Sequence, residues 1–186
     1  MTVKVQHRRF TVKEYAKMGD AGIFAPGERV ELLEGKIIAV SPQNPRHARR
    51  ISRLTTLFVG LFGQTHEIRV QLPLTLSKFS EPEPDFALVS FQASDDAWRH
   101  PVGADLVLEI SDSTLSLDRN KKARIYAQAG IADYWILNMA KKRLEVRRAP
   151  GEEGYSNLTL LTPGQTISPL AFPDVNLQVA DLLGNT

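Results

Sequence analysis

A glutamate set inside an apolar run is the feature that most constrains this chain. Leu106-Val107-Leu108-Glu109-Ile110 reads as a strand buried on both faces, because its apolar residues run on without alternation. A carboxylate in such a place is costly to bury unless a cation or hydrogen-bond donors satisfy it. A second acid heads a similar run, Asp85-Phe86-Ala87-Leu88-Val89, directly after Pro84. Proline cannot donate into a sheet ladder, so Pro84 marks the entry of that strand. A third run, Tyr134-Trp135-Ile136-Leu137, follows a helix-like segment carrying Lys121 and Lys122. The stretch from Pro84 to Asn138 thus offers two acids and a lysine that can converge.

The flanking sequence supplies a framework for them. Thr11 and Glu14 have capping-box spacing and predict a short helix to about Met18, stopped at Gly19. Val30 to Val40 reads as a hairpin folded about Glu34-Gly35. Asn44 caps a helix running to Phe62, with Pro45 in its first turn and an apolar stripe of Ile51, Leu54, Leu57, Phe58, Leu61 and Phe62. Residues 67–76 and 85–89 are predicted strands, and 92–103 a loop. A helix capped by Ser116 or Asp118 should run to about Ala129, with Gly130 as its stop. Strand, helix and strand at this length imply a right-handed parallel crossover. A hairpin over 144–161 and a tail with a short helix at 179–183 are expected to pack on the sheet edge. The expectation is a single α+β (mixed α/β) domain over residues 1–186.

Composition removes several function classes. The chain has no cysteine, so disulfides and thiolate metal sites are excluded. No apolar run approaches the roughly 20 residues of a membrane-spanning helix, and the polar, basic start from Met1 to Phe10 does not resemble a signal peptide. A cytoplasmic protein is the expectation. The net charge of +2 is too small to argue for nucleic acid, but Arg46, Arg49, Arg50 and Arg53 crowd the first half of one helix with His47. They read either as a groove that tracks a phosphate backbone or as an ordinary solvated face. Lys141-Lys142-Arg143, with Arg147 and Arg148, reads as a hairpin tip and its exposed strand face. Trp98 reads as a base-stacking residue, as packing under its loop or, preferably, as a subunit contact.

Asp85, Glu109 and the backbone carbonyl of Ile110 could together hold a hard divalent cation, Mg2+ or its substitute Mn2+, and leave room for water and a phosphate oxygen. A nearby lysine could orient or activate the water and offset charge developing on the phosphate. Pro84-Asp85 followed by Glu109-Ile110-Ser111 resembles the PD-(D/E)XK nuclease superfamily. The match is closest to its branch of bacterial restriction-endonuclease-like proteins long labelled a domain of unknown function. The further residues that carry it are Glu31-Leu32-Leu33-Glu34-Gly35, Ser41-Pro42 with His47, Asp118 with Lys122 and Tyr126-Ala127, and Tyr134-Trp135.

The resemblance covers about residues 10–160, and the C-terminal hairpin and tail span 144–186. It implies a restriction-endonuclease-like fold, a central mixed β-sheet flanked by helices, and hydrolysis of phosphodiester bonds in DNA. The parent superfamily places lysine two residues after the second acid, where this chain has Ser111. In the branch that lysine has moved to the following helix, and Lys122 fits because it shares a helical face with Asp118 and Tyr126. Lys121 points about a hundred degrees away. The resemblance also implies that Glu31 is an auxiliary acid and that Gln71 borders the site. His47 either approaches the phosphate or is a surface histidine. The rival reading is a non-catalytic nucleic-acid-binding or regulatory module that keeps the fold. A homodimer through the strand edge after Leu144 is compatible with either.

Overall fold

The computed structural model describes residues 7–40, 44–94 and 99–184; Ser41, Pro42 and Trp98 lie outside the described residues. Local signals set the first elements. Thr11 closes a full capping box on α1 (Val12–Asp20): its hydroxyl accepts from the Glu14 amide at 3.2 Å and the Glu14 carboxylate accepts from the Thr11 amide at 2.9 Å. The helix runs past the expected stop at Gly19. Strands β1 (Val30–Leu33) and β2 (Lys36–Ala39) pair antiparallel, and Glu34 and Gly35 both take the positive φ that a two-residue turn requires. The Asn44 side chain accepts from the His47 amide at 2.9 Å and starts α2 (Pro45–Phe62). That helix buries Leu54, Phe58 and Phe62, each worth about 1.5–3 kcal/mol. Leu61, expected on the stripe, is 42% exposed because it flanks the buried face in the last turn.

Six strands form the central sheet in chain order: β3 (His66–Val70), β4 (Phe86–Ser90), β5 (Leu106–Ser111), β6 (Asp133–Asn138), β7 (Arg143–Gly151) and β8 (Gly154–Leu161). Neighbours are antiparallel except β5 and β6, which run parallel. The mixed sheet flanked by helices is therefore the architecture anticipated. The crossover between β5 and β6 holds α4 (Leu115–Leu117), a π-turn (Asp118–Lys122) and α5 (Ala123–Gln128). One face of the sheet packs α2 through Phe58 against Phe86, and the other packs Tyr126 of α5 against Tyr134.

Several expectations need correction. β3 ends at Val70 rather than Leu76, because Gln71 takes φ 52° and turns the chain out of the ladder. β4 begins at Phe86, so Asp85 stands just outside it. The segment expected as a loop opens with a short helix, α3 (Phe91–Ser94). Asp118 does not cap the crossover helix; it lies inside the π-turn and accepts a 2.6 Å hydrogen bond from the Thr114 hydroxyl. The tail does more than cover an edge. After the short pair β9 (Thr166–Ile167) and β10 (Leu177–Gln178), α6 (Val179–Leu183) sends Val179, Leu182 and Leu183 into the core shared with α2.

Arg147 and Arg148 are not an exposed face either. Arg148 donates to the fully buried Asp133 at 2.8 and 3.1 Å, and Arg147 lies 3.9 Å from Glu145. Glu145, buried on β7, also accepts from Arg119, from Asn138 at 2.8 Å and from Arg143 at 3.2 Å. Burial opposes its charge, but hydrogen bonds from Arg119, Asn138 and Arg143 and the Arg119 charge outweigh this and hold the carboxyl down at about 2. A folded-state pKa below the unfolded one adds stability above the ordinary carboxylate range, which is lost as pH falls toward 2. We therefore expect Glu145→Gln to remove on the order of 3 kcal/mol at neutral pH and little below pH 2. Urea unfolding midpoints measured for both proteins across that range check this.

Candidate active site

The acids meet where two strands diverge. The β4–β5 ladder runs outward to Phe86 opposite Leu108, and the next pair would set Asp85 against Glu109. There the side chains take over from the ladder. The Ile110 amide donates to Asp85 Oδ2 at 2.7 Å, and the Asp85 amide donates to Glu109 Oε2 at 3.3 Å. Each carboxylate satisfies a backbone donor beside the other acid, so burying the pair leaves neither amide orphaned. Period-two alternation places Asp85 with Ala87 and Glu109 with Val107, on the face covered by the crossover helix.

Lys122 comes from that helix. Its Nζ donates to Glu109 Oε1 at 3.0 Å and lies 3.1 Å from Glu31 Oε2, with all three residues buried. The Tyr126 hydroxyl donates to the same Glu109 Oε1 at 2.7 Å. Lys122 and Tyr126, four residues apart across the junction of the π-turn and α5, thus grip one carboxylate oxygen. π-Turns of this kind cluster at functional sites. Glu31 is positioned through its hairpin. Leu32 and Glu81 exchange backbone hydrogen bonds at 3.4 and 2.7 Å, and the Glu83 amide donates to Glu31 Oε2 at 3.1 Å.

Other groups complete the wall. Asp85 Oδ1 lies 3.1 Å from His47 Nε2 and accepts from Gln71 Nε2 at 3.0 Å. His47 is thus an inward-facing neighbour of the acid pair. Ser111, where the parent superfamily carries lysine, is a buried strand residue. The arginines of α2 separate. Arg50 reaches to 3.8 Å from Asp112, while Arg46, Arg49 and Arg53 are exposed and do not line the cleft. The cleft itself encloses about 160 Å3.

Its electrostatics are lopsided. Among the described residues it is lined by six acids, Glu31, Glu83, Asp85, Glu109, Asp112 and Asp118, against Arg29, His47 and Lys122. Burial pushes the Glu109 carboxyl up to about 8; the Lys122 charge pulls the other way and the neighbouring acids add to the rise. Burial alone would lower the Lys122 pKa, but Glu109, Glu31 and Asp118 together hold it well above its usual value, so the ammonium stays charged. Burial likewise opposes the Asp85 charge, yet the His47 hydrogen bond and charge and the Ile110 amide keep its carboxyl low.

These donors fit a hard divalent cation. The cluster presents oxygens, holds more acid than base, and lies in a cleft open to water-sized groups. Among the described residues, no three acid or imidazole side chains converge tightly enough to hold an ion alone. A site built from Asp85, Glu109 and the Ile110 carbonyl, completed by water and substrate, matches the habits of Mg2+.

Sequence reasoning did not assign Arg29, Glu83 or the Tyr126 contact to the site. Tyr126 had a visible signal in its four-residue spacing from Lys122. Arg29 and Glu83 had none, since only the docking of the β1–β2 hairpin on residues 81–83 brings them in.

Comparison with known proteins agrees with this geometry at the level of fold and family. No curated protein matches the chain. A crystal structure titled as a putative nuclease belonging to DUF820, from Anabaena variabilis, superposes with a TM-score of 0.75 at 15% identity, covering 94% of this chain and 98% of that one. A family model, Uma2, described as "Putative restriction endonuclease", matches residues 12–180. With most of its length matched, and with the nuclease-like mixed sheet already in place, the chain belongs to the Uma2 family of restriction-endonuclease-like proteins.

Proposed function

We propose that this protein is a divalent-metal-dependent endonuclease that hydrolyses phosphodiester bonds in DNA. The observation that carries the reading is the reciprocal Asp85–Glu109 pair with Lys122 bound to its outer oxygen. Asp85, Glu109 and the Ile110 carbonyl would hold Mg2+ or Mn2+. The cation would supply Lewis-acid activation of the phosphate and of a bound water.

The chain's own groups do the rest. Lys122 stays protonated between Glu31 and Glu109, so it serves as a fixed positive charge and hydrogen-bond donor rather than as a base. Its charge stabilises the negative charge that builds on the phosphate in the transition state. Glu31 and Tyr126 fix the ammonium and the Glu109 carboxylate, which limits reorganisation during the reaction. His47 and Gln71 steady the Asp85 carboxylate from its other side.

Burial of Lys122 between two acids has a measurable cost when it is removed. Lys122→Ala leaves Glu31 and Glu109 close together without a cation and is expected to destabilise the protein by about 3–5 kcal/mol. Thermal unfolding checks this, and added Mn2+ should restore some of the loss.

On supercoiled DNA with Mg2+ or Mn2+, the wild-type protein is expected to nick. Lys122→Ala, measured where circular dichroism shows it folded, should slow the reaction by at least about 100-fold. Asp85→Ala should abolish nicking. Equal nicking by wild type and Asp85→Ala would mark the activity as a contaminant and overturn the proposal.

A further inference from the structure

Among the described residues three basic side chains line the cleft, and two are committed. Lys122 is held between Glu31 and Glu109, and His47 lies against Asp85. Arg29 differs. Its side chain is 30% exposed, and its ion pair with Glu83, itself 24% exposed, is 3.5 Å long, the outer limit of a hydrogen bond. The backbone behind it is pinned, because the Val40 amide donates to the Arg29 carbonyl at 2.9 Å at the base of the hairpin. The guanidinium is thus a loosely held cation on a fixed stem.

Arg29 also stands on a boundary. Besides the acidic cleft it lines a neighbouring open hollow of about 700 Å3, whose walls include Gly27, Ala39, Val40, Val70 and Gln71. Those walls are mainly small and apolar, with Ala39, Val40 and Gln71 shared between hollow and cleft. The hollow's other charged residue, Glu28, is turned to its own loop, where it accepts from the Ala25 amide at 2.8 Å. A nucleotide has this same pairing of groups, an apolar base or sugar face beside an anion.

We propose that Arg29 binds a backbone phosphate of the nucleic-acid substrate, exchanging Glu83 for it, and that the hollow receives the nucleotide flanking the scissile bond. This rests on the nuclease reading above. An acidic cleft repels a polyanion, so a cation at its mouth is required in addition to any metal. A guanidinium suits the task because it meets two phosphate oxygens at once. Arg46, Arg49, Arg50 and Arg53 of α2 line neither cavity.

The test is fluorescence anisotropy with a short labelled DNA oligonucleotide in EDTA, titrated at several salt concentrations. A residue that neutralises one phosphate contributes about one to the slope of log affinity against log salt. Arg29→Ala is expected to weaken binding about tenfold, similarly for unrelated sequences, and to lower the slope by about one; Arg29→Lys should retain the slope with weaker binding. Glu83→Gln should tighten binding in the wild-type background but not when combined with Arg29→Ala, with each variant's folded fraction set by circular dichroism. An unchanged slope in Arg29→Ala, or equal tightening in both backgrounds, overturns the proposal. Nicking by wild type and Asp85→Ala is read separately, so loss of the Arg29 proposal leaves the nuclease reading intact. No binding of any oligonucleotide by the wild type overturns the Arg29 proposal, and the nuclease reading is judged by nicking in Mg2+ or Mn2+ alone.

Discussion

The exchange of hydrogen bonds between Asp85 and Glu109 is the constraint on which the site depends. Two strands that paired to their ends would satisfy their own amides and leave no opening. Here the strands diverge a residue early, and each acid answers the backbone donor that the ladder drops. The carboxylates are therefore tied to the sheet, Glu109 within β5 and Asp85 one residue before β4. This matters because chemistry on a phosphate depends on placement and electrostatics more than on covalent partners.

Around that pair the protein assembles groups from distant regions of the chain. Glu31 arrives on a hairpin, His47 on the first turn of α2, Gln71 at a strained turn and Lys122 on the crossover. Backbone hydrogen bonds from Leu32 to Glu81 and from Gly35 to Phe79 hold the hairpin, so Glu31 and Arg29 move with it. The cluster is rich in acid, and its ammonium is shared between two carboxylates. A buried cluster of that balance is stable only when it is partly protonated or when a further cation joins it.

Much of this was legible in the sequence, for identifiable reasons. Glu109 stood out because its neighbours are apolar on both sides, and the parallel β5–β6 pair followed from strand–helix–strand spacing. Lys122 was chosen over Lys121 by assuming ordinary helical periodicity, whereas the chain there is a π-turn. Lys122 and Tyr126 nonetheless meet on Glu109. What could not be read was long-range pairing. Arg148 looks like a surface residue until its partner, Asp133, is seen buried on the adjacent strand β6, and so does Glu145 on β7 until Arg119 reaches it from the crossover. The same holds for α6, whose apolar residues look like a tail but complete the core beside α2.

The central claim is that the diverging strand ends form a divalent-metal site. Anomalous diffraction from crystals soaked in Mn2+ tests it most directly. The account predicts one strong peak bounded by Asp85, Glu109 and the Ile110 carbonyl, lost in Glu109→Gln crystals treated identically. No peak there at saturating Mn2+, or one that persists unchanged in Glu109→Gln, would contradict it.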